Sequence, residues 1–155
     1  MTAAVATRLA PMSGSPATVA VATIRDQPLD AVRVAGLVSD ERAGATVTFT
    51  GVVRNHDHGR AVTGIEYVGH PSADAVIAEI AAEFTGREGV HSIAVEHRIG
   101  TLAVGDLALV AAVSASHRAQ AFSTCSELVD RVKEKLPIWK RQLFTDGTAE
   151  WSNCP

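Results

Sequence analysis

The sequence is poor in several residue types, and each shortage excludes a class of protein. Only two cysteines occur among its 155 residues, Cys125 and Cys154, and neither has neighbours of the kind that bind a metal. Two cysteines placed in this way do not form a disulfide framework, which favours a reducing, cytoplasmic compartment. No apolar run of about 18 residues occurs, so no membrane span is expected. The N-terminus lacks a basic segment followed by a long apolar core, so we do not expect a signal peptide.

Positive charge is also limited, with 14 lysines and arginines against 17 aspartates and glutamates. The net charge of −3 gives no reason to expect a nucleic-acid partner, because nucleic-acid binders usually carry a basic balance. The hydrophobic content of 46% and the charged content of 20% are typical of a globular protein. We expect a disordered tail over residues 1–17 and a single domain over residues 18–155.

Hydrophobic periodicity predicts an α+β fold with one long helix in the C-terminal half and two shorter helices. The predicted strands cover residues 18–24, 45–54, 62–68, 91–99, 100–104, 107–115, 138–145 and 148–151, and the predicted helices cover 28–38, 72–84 and 117–136. Strands that adjoin in sequence favour a mainly antiparallel sheet, with residues 45–68 as a hairpin and residues 107–115 as a buried central strand. The first helix is expected to bury Leu29, Val32, Val34 and Leu37. Ser72 is expected to cap the second helix.

All three lysines of the chain, Lys133, Lys135 and Lys140, lie within eight residues of each other. A lysine amine can change its pKa and take part in chemistry, which a guanidinium cannot do. One interpretation makes Lys133 or Lys140 a catalytic or substrate-binding group. The other is that lysines near a helix end only interact with the helix dipole and the solvent. Lys135 fits this second interpretation, because it projects to the opposite edge of the helix from Lys133.

The long helix has an apolar face on which Arg118 also falls. That face comprises Phe122, Cys125, Leu128, Val129, Val132 and Leu136. With Ser116 as N-cap, His117 and Arg118 lie in the first turn, where free N–H groups can bind an anion. The alternative is that Arg118 is structural and forms an ion pair with a carboxylate such as Glu96.

Three further groups have less specific patterns. Residues 54–58 hold two histidines, but no third metal ligand is evident, and the better interpretation makes Arg54 an anion contact followed by a mobile polar loop. His97 and Arg98 are interpreted as a structural strand end. Trp139 is expected in the core.

Four segments, in this order and spacing, resemble the family of the catalytic large subunit of molybdopterin synthase, MoaE. They are GATVTFTGVVRNHDHGR at 44–60, HRIGTLAVGD at 97–106, SASHRAQAF at 114–122 and VKEKLPIWKRQ at 132–142. The resemblance runs from Gly44 to about Trp151. It implies an α/β hammerhead-like fold.

The resemblance also implies a reaction in molybdenum cofactor biosynthesis. The family adds two sulfurs to cyclic pyranopterin monophosphate and so forms the dithiolene of molybdopterin. The sulfur arrives as a thiocarboxylate on the C-terminal Gly-Gly of a small ubiquitin-like subunit. Two large subunits form a homodimer within a heterotetramer, and each site uses residues from both. No metal or cofactor is implied, because the sulfur nucleophile arrives activated.

The family's functional residues match positions of this chain. Its strand-end arginine matches Arg54, and its helix-start pair matches His117 and Arg118. The two family lysines, seven residues apart, match Lys133 and Lys140, and the resemblance implies that both are catalytic. The implied substrate-binding residues are Arg54, His117, Arg118, Lys133, Lys140, Arg141 and Gln142.

The chain departs from the family pattern at two positions. Gln142 stands where the family commonly has a glutamate after the second lysine, so an acidic role there is in doubt. Val68 likewise replaces a glutamate. A competing hypothesis is a non-catalytic module that binds a ubiquitin-like tail or an anionic pterin, and a third is an enzyme that forms a Schiff base through Lys133.

Overall fold

The structure is a computed structural model that describes residues 14–153, and it confirms an α+β fold. The strands are β1 (Thr18–Arg25), β2 (Ala45–Val52), β3 (His56–Asp57), β4 (Arg60–Gly69), β5 (Val90–Arg98), β6 (Gly100–Ala103), β7 (Leu107–Ala115), β8 (Ile138–Phe144) and β9 (Ala149–Asn153). The helices are α1 (Ala31–Leu37), α2 (Ala73–Ala82) and α3 (Arg118–Lys135). Most of the expected tail, residues 1–13, and Cys154 lie outside the described residues. Ala17 is buried, and its amide donates to the Thr85 carbonyl over 2.8 Å.

A four-stranded sheet forms the centre of the molecule, in the order β1-β5-β7-β2. β1 runs parallel to β5, and the other neighbours are antiparallel. All but the first residue of β7 are buried, which confirms the predicted central strand. One face packs against α2 and α3 through the main apolar core, and the other face is covered by α1.

A second sheet is built around β4, which pairs with β3, β6 and β8, while β8 also pairs with β9. The predicted hairpin over residues 45–68 is therefore wrong, since β2 pairs with β7 and not with β4. The chain leaves the first sheet at Val53, whose amide donates to Asp106 and whose carbonyl accepts from Gly105. These two bonds take the place of a turn between β2 and β4.

α3 packs on the first sheet with most of the predicted face. Cys125, Leu128, Val129, Val132 and Leu136 are buried, as predicted. Phe122 and Arg118 are exposed, so that part of the prediction is wrong. The reason is that β2, which lies below this side of α3, is an edge strand with no neighbour to cover Phe122.

The N-cap of α3 is His117 and not Ser116. The His117 amide donates to Oε1 of Gln120 over 3.2 Å, which satisfies one of the free N–H groups of the helix start. The Ser116 hydroxyl instead lies 2.8 Å from Nε2 of His91. At the other end, Leu136 is extended, as expected of a residue before proline.

The two short helices also differ from the prediction in detail. α1 begins after Asp30, whose carboxylate accepts from the Arg33 amide over 3.0 Å. Val32 is 84% exposed and Leu37 is 42% exposed, because the short helix covers the sheet only with Val34 and its flanking residues. Ser72 makes no capping bond, and its amide donates to Nδ1 of His70 instead. Within residues 14–153, none of the helices combines the length and apolar character needed to cross a membrane.

Candidate functional site

Lys133 lies on the last turn of α3, at a pocket between the two sheets. The pocket has a volume of about 100 Å³ and forms where β2 ends, β7 begins and β8 begins. Its walls are Gly51, Val52, Tyr67, His97, Ala108, Leu109, Val132, Lys133, Leu136 and Ile138. Most of these residues are apolar and buried. Lys133 itself is exposed, so its ammonium can meet an anion that enters the pocket.

His97 forms part of the pocket wall and is buried. Its Nδ1 lies 2.8 Å from the backbone oxygen of Arg98; a carbonyl only accepts, so Nδ1 carries the hydrogen. The ring packs edge-on against Tyr67, with 5.1 Å between the ring centres. The pKa of His97 is lowered from 6.5 to about 4, mainly by burial and also by the nearby charge of Lys133, against the effect of the bond to Arg98. The imidazole is therefore neutral at neutral pH, with its second nitrogen unprotonated. The sequence interpretation of His97 as a structural strand end did not predict that His97 lines this pocket.

Lys140 and Gln142 lie on β8, two residues apart and thus on the same face. Lys140 is directly opposite Tyr67 of β4, so both side chains project from the same face of the sheet. Tyr67 lines the Lys133 pocket. Lys133 therefore lines the pocket, whereas Lys140 lies next to one of its wall residues on a different element.

Arg54, Asp57, Lys140 and Gln142 form a polar group beside the pocket, which we call the Asp57 cluster. Nη2 of Arg54 donates to Oδ1 of Asp57 over 3.0 Å. Burial alone raises the pKa of Asp57, but hydrogen bonds from Gln142 and Arg54 outweigh it. His58 and the Lys140 ammonium act in the same direction as these bonds, so the pKa lies below its usual value. The loop expected after Arg54 contains the short strand β3, and sequence reasoning missed Asp57 because a lone acid in a polar turn gives no pattern.

Arg141 is not brought into this group. It lies on the opposite face of β8, where its guanidinium is 3.4 Å from Glu66 and 5.9 Å from the Trp151 ring. Trp139 shares that face and is 39% exposed, so its expected place in the core is wrong. Successive residues of a strand face opposite sides, and Ile138 of β8 faces the core. Trp139 and Arg141 therefore face away from it.

His117 and Arg118 lie at the far end of α3 and are exposed. Fifteen residues separate Arg118 from Lys133, which is roughly 22 Å along a helix. Within one chain, these two residues and Lys133 cannot contact the same small substrate. The alternative of an ion pair between Arg118 and Glu96 is wrong, because Glu96 is buried on the other side of the sheet and pairs with Arg33.

Lys135 projects away from the pocket and lies 3.2 Å from Glu83 of the α2 end, in agreement with its structural interpretation. Arg131 also contacts Glu83, over 3.0 Å. Among the residues that the structure describes, no three histidine, cysteine or acidic side chains are grouped as a metal site requires. His56 and His58 therefore have no third ligand beside them in that part of the chain.

Comparisons with known proteins identify the family of the chain. Residues 24–135 match the family model described as MoaE protein. The chain is 35% identical over 126 residues to the molybdopterin synthase catalytic subunit of a Nostoc species, covering 80% of this chain and 76% of that protein. It is also similar to the molybdopterin synthase crystal structure from Staphylococcus aureus, with a TM-score of 0.78 and 32% identity over 84% of this chain and 96% of that one.

A more distant likeness concerns a protein–protein complex of subunits 1 and 2 of molybdopterin-converting factor from Helicobacter pylori. The TM-score is 0.67 with 18% identity, over 84% of this chain and 88% of that one, so it shows the fold alone. The family model covers most of the chain, and the Nostoc relative is well above 30% identical. The chain therefore belongs to the MoaE family, the family of molybdopterin synthase catalytic subunits.

Proposed function

We propose that this chain is the sulfur-transferring subunit of a molybdopterin synthase in molybdenum cofactor biosynthesis. It takes sulfur from the C-terminal thiocarboxylate of a small ubiquitin-like subunit and adds it to cyclic pyranopterin monophosphate, forming the dithiolene. The observation that carries this proposal is Lys133 at the pocket with Lys140 next to the pocket residue Tyr67, since both substrates are anionic. The enzyme class is sulfurtransferase.

Lys133 is the first catalytic residue of the proposal. Once the thiocarboxylate sulfur has bonded to a substrate carbon, and a carbon–oxygen bond of that carbon has broken with its oxygen as the leaving group, the partner's tail is held as a thioester. Water adds to the thioester carbonyl, and the resulting tetrahedral intermediate carries an oxyanion. The Lys133 ammonium stabilises that oxyanion, and collapse of the intermediate leaves the sulfur on the substrate and a carboxylate on the tail. The neutral His97 adds no competing charge to the pocket.

Arg54, Lys140 and Gln142 bind the substrate in this proposal. A guanidinium can hold two phosphate oxygens at once, and the Arg54 side chain is 66% exposed, so it can reach a ligand outside the pocket. The Lys140 ammonium adds a second positive charge for the phosphate or for the thioester carbonyl. Arg141 faces the other side of the sheet and has no role at this pocket.

His117 and Arg118 enter the site from a second copy of the chain. Their separation of roughly 22 Å from Lys133 along α3 rules out a shared substrate within one chain. In a symmetric dimer, each α3 start can face the α3 end of the other copy, so that two equivalent sites form. An arginine beside a helix N-terminus is suited to a phosphate.

The proposed partner is the small subunit, whose flexible tail enters the pocket. The Helicobacter pylori complex supports a two-subunit arrangement, because one of its chains has this fold. The proposal needs no metal or cofactor, since the thiocarboxylate is already a nucleophile. We assign the reaction to the cytoplasm, as the cysteine usage predicts.

A single-turnover assay tests the proposal. The wild-type chain is mixed with the thiocarboxylated small subunit and the cyclic precursor, and the fluorescent oxidised product is measured over time. Lys133→Ala should lower the rate by roughly a hundredfold or more, as for the loss of other oxyanion-stabilising groups. Lys135→Ala is the matched control, because it removes a lysine two residues away that forms an ion pair with Glu83 at the surface. We expect it to keep the wild-type rate.

The remaining outcomes separate the competing hypotheses. If the wild-type chain binds the small subunit but forms no product, the chain is a docking module and the proposed function fails. If Lys133→Ala keeps the wild-type rate, the reaction stands but Lys133 is not catalytic. Trapping of Lys133 by borohydride in the presence of the precursor would support the Schiff-base alternative.

A further inference from the structure

His91 lies at an irregular point of β5, close to the start of α3. Val90 pairs with Ala115 of β7 and Ser92 pairs with Ser114, so the register between the two strands shifts at His91. An extra residue of this kind is a β-bulge, which turns a side chain out of the regular alternation of its strand. The half-buried imidazole is thereby available for a contact outside the sheet pairing.

His91 makes this contact with Ser116, the residue between β7 and the N-cap of α3. Its Nε2 lies 2.8 Å from the Ser116 hydroxyl. Two backbone contacts also hold Ser116. Its amide donates to the Gly89 carbonyl over 2.8 Å, and its carbonyl oxygen lies so close to Gly44 that a Cβ there would be only 2.5 Å away. The backbone of Ser116 is therefore fixed, and its hydroxyl is held by His91.

The Ser116 hydroxyl matters because serine is among the strongest N-caps. A free hydroxyl at this position could accept from the amides of the first turn and start the helix one residue earlier. With the hydroxyl held by His91, the N-cap is His117, whose backbone is extended with φ −132° and ψ 153°. If Ser116 capped the helix, His117 would have to become helical, and its imidazole would move relative to Arg118.

A second histidine and serine make the same arrangement at the start of α2. Nδ1 of His70 lies 2.7 Å from the Ser72 hydroxyl. Although Ser72 is the N-cap of α2, its side chain makes no capping bond. At the start of both helices, a serine hydroxyl held by a histidine thus does not cap the helix.

We propose that His91 is a positioning residue for His117 and Arg118. It holds the Ser116 hydroxyl away from the helix start, so that His117 stays extended and Arg118 begins the helix. The proposal rests on the proposed function, in which these two residues bind substrate in the site of the other copy. Loss of the bond to His91 should therefore weaken substrate binding and leave the sulfur-transfer step unchanged.

Three variants test the proposal in the single-turnover assay, with the rate measured over a range of precursor concentrations. His91→Phe keeps a ring but frees the Ser116 hydroxyl. It should raise the half-saturating precursor concentration roughly threefold to tenfold, the factor that one hydrogen bond typically contributes. The rate at saturation should stay within about twofold of the wild type, because Lys133 is unchanged.

The other two variants check the cause. Ser116→Ala removes the competing cap, because alanine is a poor N-cap, and should keep the half-saturating concentration within about twofold of the wild type. The double variant His91→Phe/Ser116→Ala should match Ser116→Ala, so that the second substitution rescues the first. A packing role of His91 would give no such rescue.

The matched control is His70→Phe, which removes the corresponding bond at the start of α2. It should leave the half-saturating concentration and the rate at saturation unchanged. Thermal unfolding of every variant separates a loss of fold from a loss of affinity.

A mixed dimer shows which copy needs His91. A dimer of one Lys133→Ala chain and one Arg118→Ala chain has one complete site, and the α3 start of that site comes from the Lys133→Ala chain. Adding His91→Phe to this chain should raise the half-saturating concentration. Adding it to the Arg118→Ala chain should not, because the α3 start of that chain serves the site without Lys133.

Three results would overturn the inference while leaving the proposed function intact. The first is a His91→Phe variant with the half-saturating concentration of the wild type. The second is a folded double variant that is as impaired as His91→Phe. The third is a mixed dimer that responds equally to His91→Phe in either chain. Absence of product with the wild-type chain would instead overturn the proposed function itself.

Discussion

Nη2 of Arg33 lies 2.6 Å from one carboxylate oxygen of Glu96 and 2.7 Å from the other. Glu96 is completely buried, whereas the Arg33 side chain is 40% exposed. Arg25 is a second, longer contact at 3.5 Å. This pair attaches α1 to the face of the first sheet opposite α3. Glu96 lies on β5, immediately before His97.

Removing Arg33 should destabilise the protein far more than removing an arginine from an exposed pair. Arg33→Leu leaves the Glu96 carboxylate buried with only its longer contact, so we expect the free energy of unfolding to fall by about 3 kcal/mol. Arg42→Leu breaks the exposed pair with Asp40 and should cost less than about 1 kcal/mol. Urea unfolding of the three proteins measures both values.

The double variant Arg33→Leu/Glu96→Leu checks the cause. Replacing both partners of a buried pair by apolar groups is often close to neutral, so the double variant should be more stable than Arg33→Leu. If it is less stable, the effect of Arg33 comes from packing and not from an unpaired carboxylate.

His97 should make the stability depend on pH between about 6.5 and 4. The unfolded chain binds a proton at His97 near pH 6.5, but the folded chain does so only near pH 4. Stability is therefore fully present above pH 6.5 and falls as the pH drops to 4, by about 3 kcal/mol in total. Carboxylates with a lowered pKa, such as Asp74, lose their contribution only at lower pH.

The comparison is between wild type, His97→Gln and His70→Gln in urea unfolding at several pH values. His97→Gln should remove most of the slope between pH 6.5 and 4. His70→Gln changes an exposed histidine and should keep the slope. An unchanged slope in His97→Gln would show that His97 is not the group that titrates.

A mixed dimer should reveal whether one site uses two chains. Lys133→Ala and Arg118→Ala homodimers should each be inactive. A dimer with one chain of each kind, isolated through two different affinity tags, contains one site with both wild-type residues. It should regain about half of the wild-type activity in a symmetric dimer. A mixed dimer as inactive as its parents would mean that each chain supplies its whole site.

Two glycine substitutions should act in opposite directions. A Cβ at Gly44 would lie 2.5 Å from the Ser116 carbonyl oxygen, just before the start of α3. Gly44→Ala should therefore cost about 1–3 kcal/mol of stability, as other overpacking substitutions do. Gly36 of α1 has open space around its Cβ position, so Gly36→Ala should stabilise the protein by up to about 1 kcal/mol. Thermal unfolding distinguishes the two, and equal effects would contradict the clash at Gly44.

Sequence patterns predicted the elements of the fold better than their pairing. Alternation along β2 showed which side chains face inward, but it carries no information about the neighbouring strand. The pairing of β2 with β7 depends on where Val53 crosses to the second sheet, through bonds to the distant residues Gly105 and Asp106. The parallel pairing of β1 with β5 was not foreseen for the same reason.

The candidate site was predicted in part. Arg54, Lys140 and Gln142 do lie together, and Lys133 lies at the adjoining pocket. His97 and Asp57 were missed, because their roles depend on burial and on contacts across strands that have no local signature. The exposure of Phe122 was missed because periodicity shows the direction of a side chain and not where the sheet below it ends.

α3 determines how far apart Arg118 and Lys133 lie and in which directions around the helix their side chains project. Each residue adds about 1.5 Å and about 100° of rotation, so a single insertion between Arg118 and Lys133 would turn one end away from its surface. An insertion of seven residues would nearly restore the rotation but lengthen the helix by about 10 Å. If two copies share each site, either insertion would disrupt both sites of the dimer. In such a dimer the length of this helix is a dimension that both copies share, far less free to vary than the loops around it.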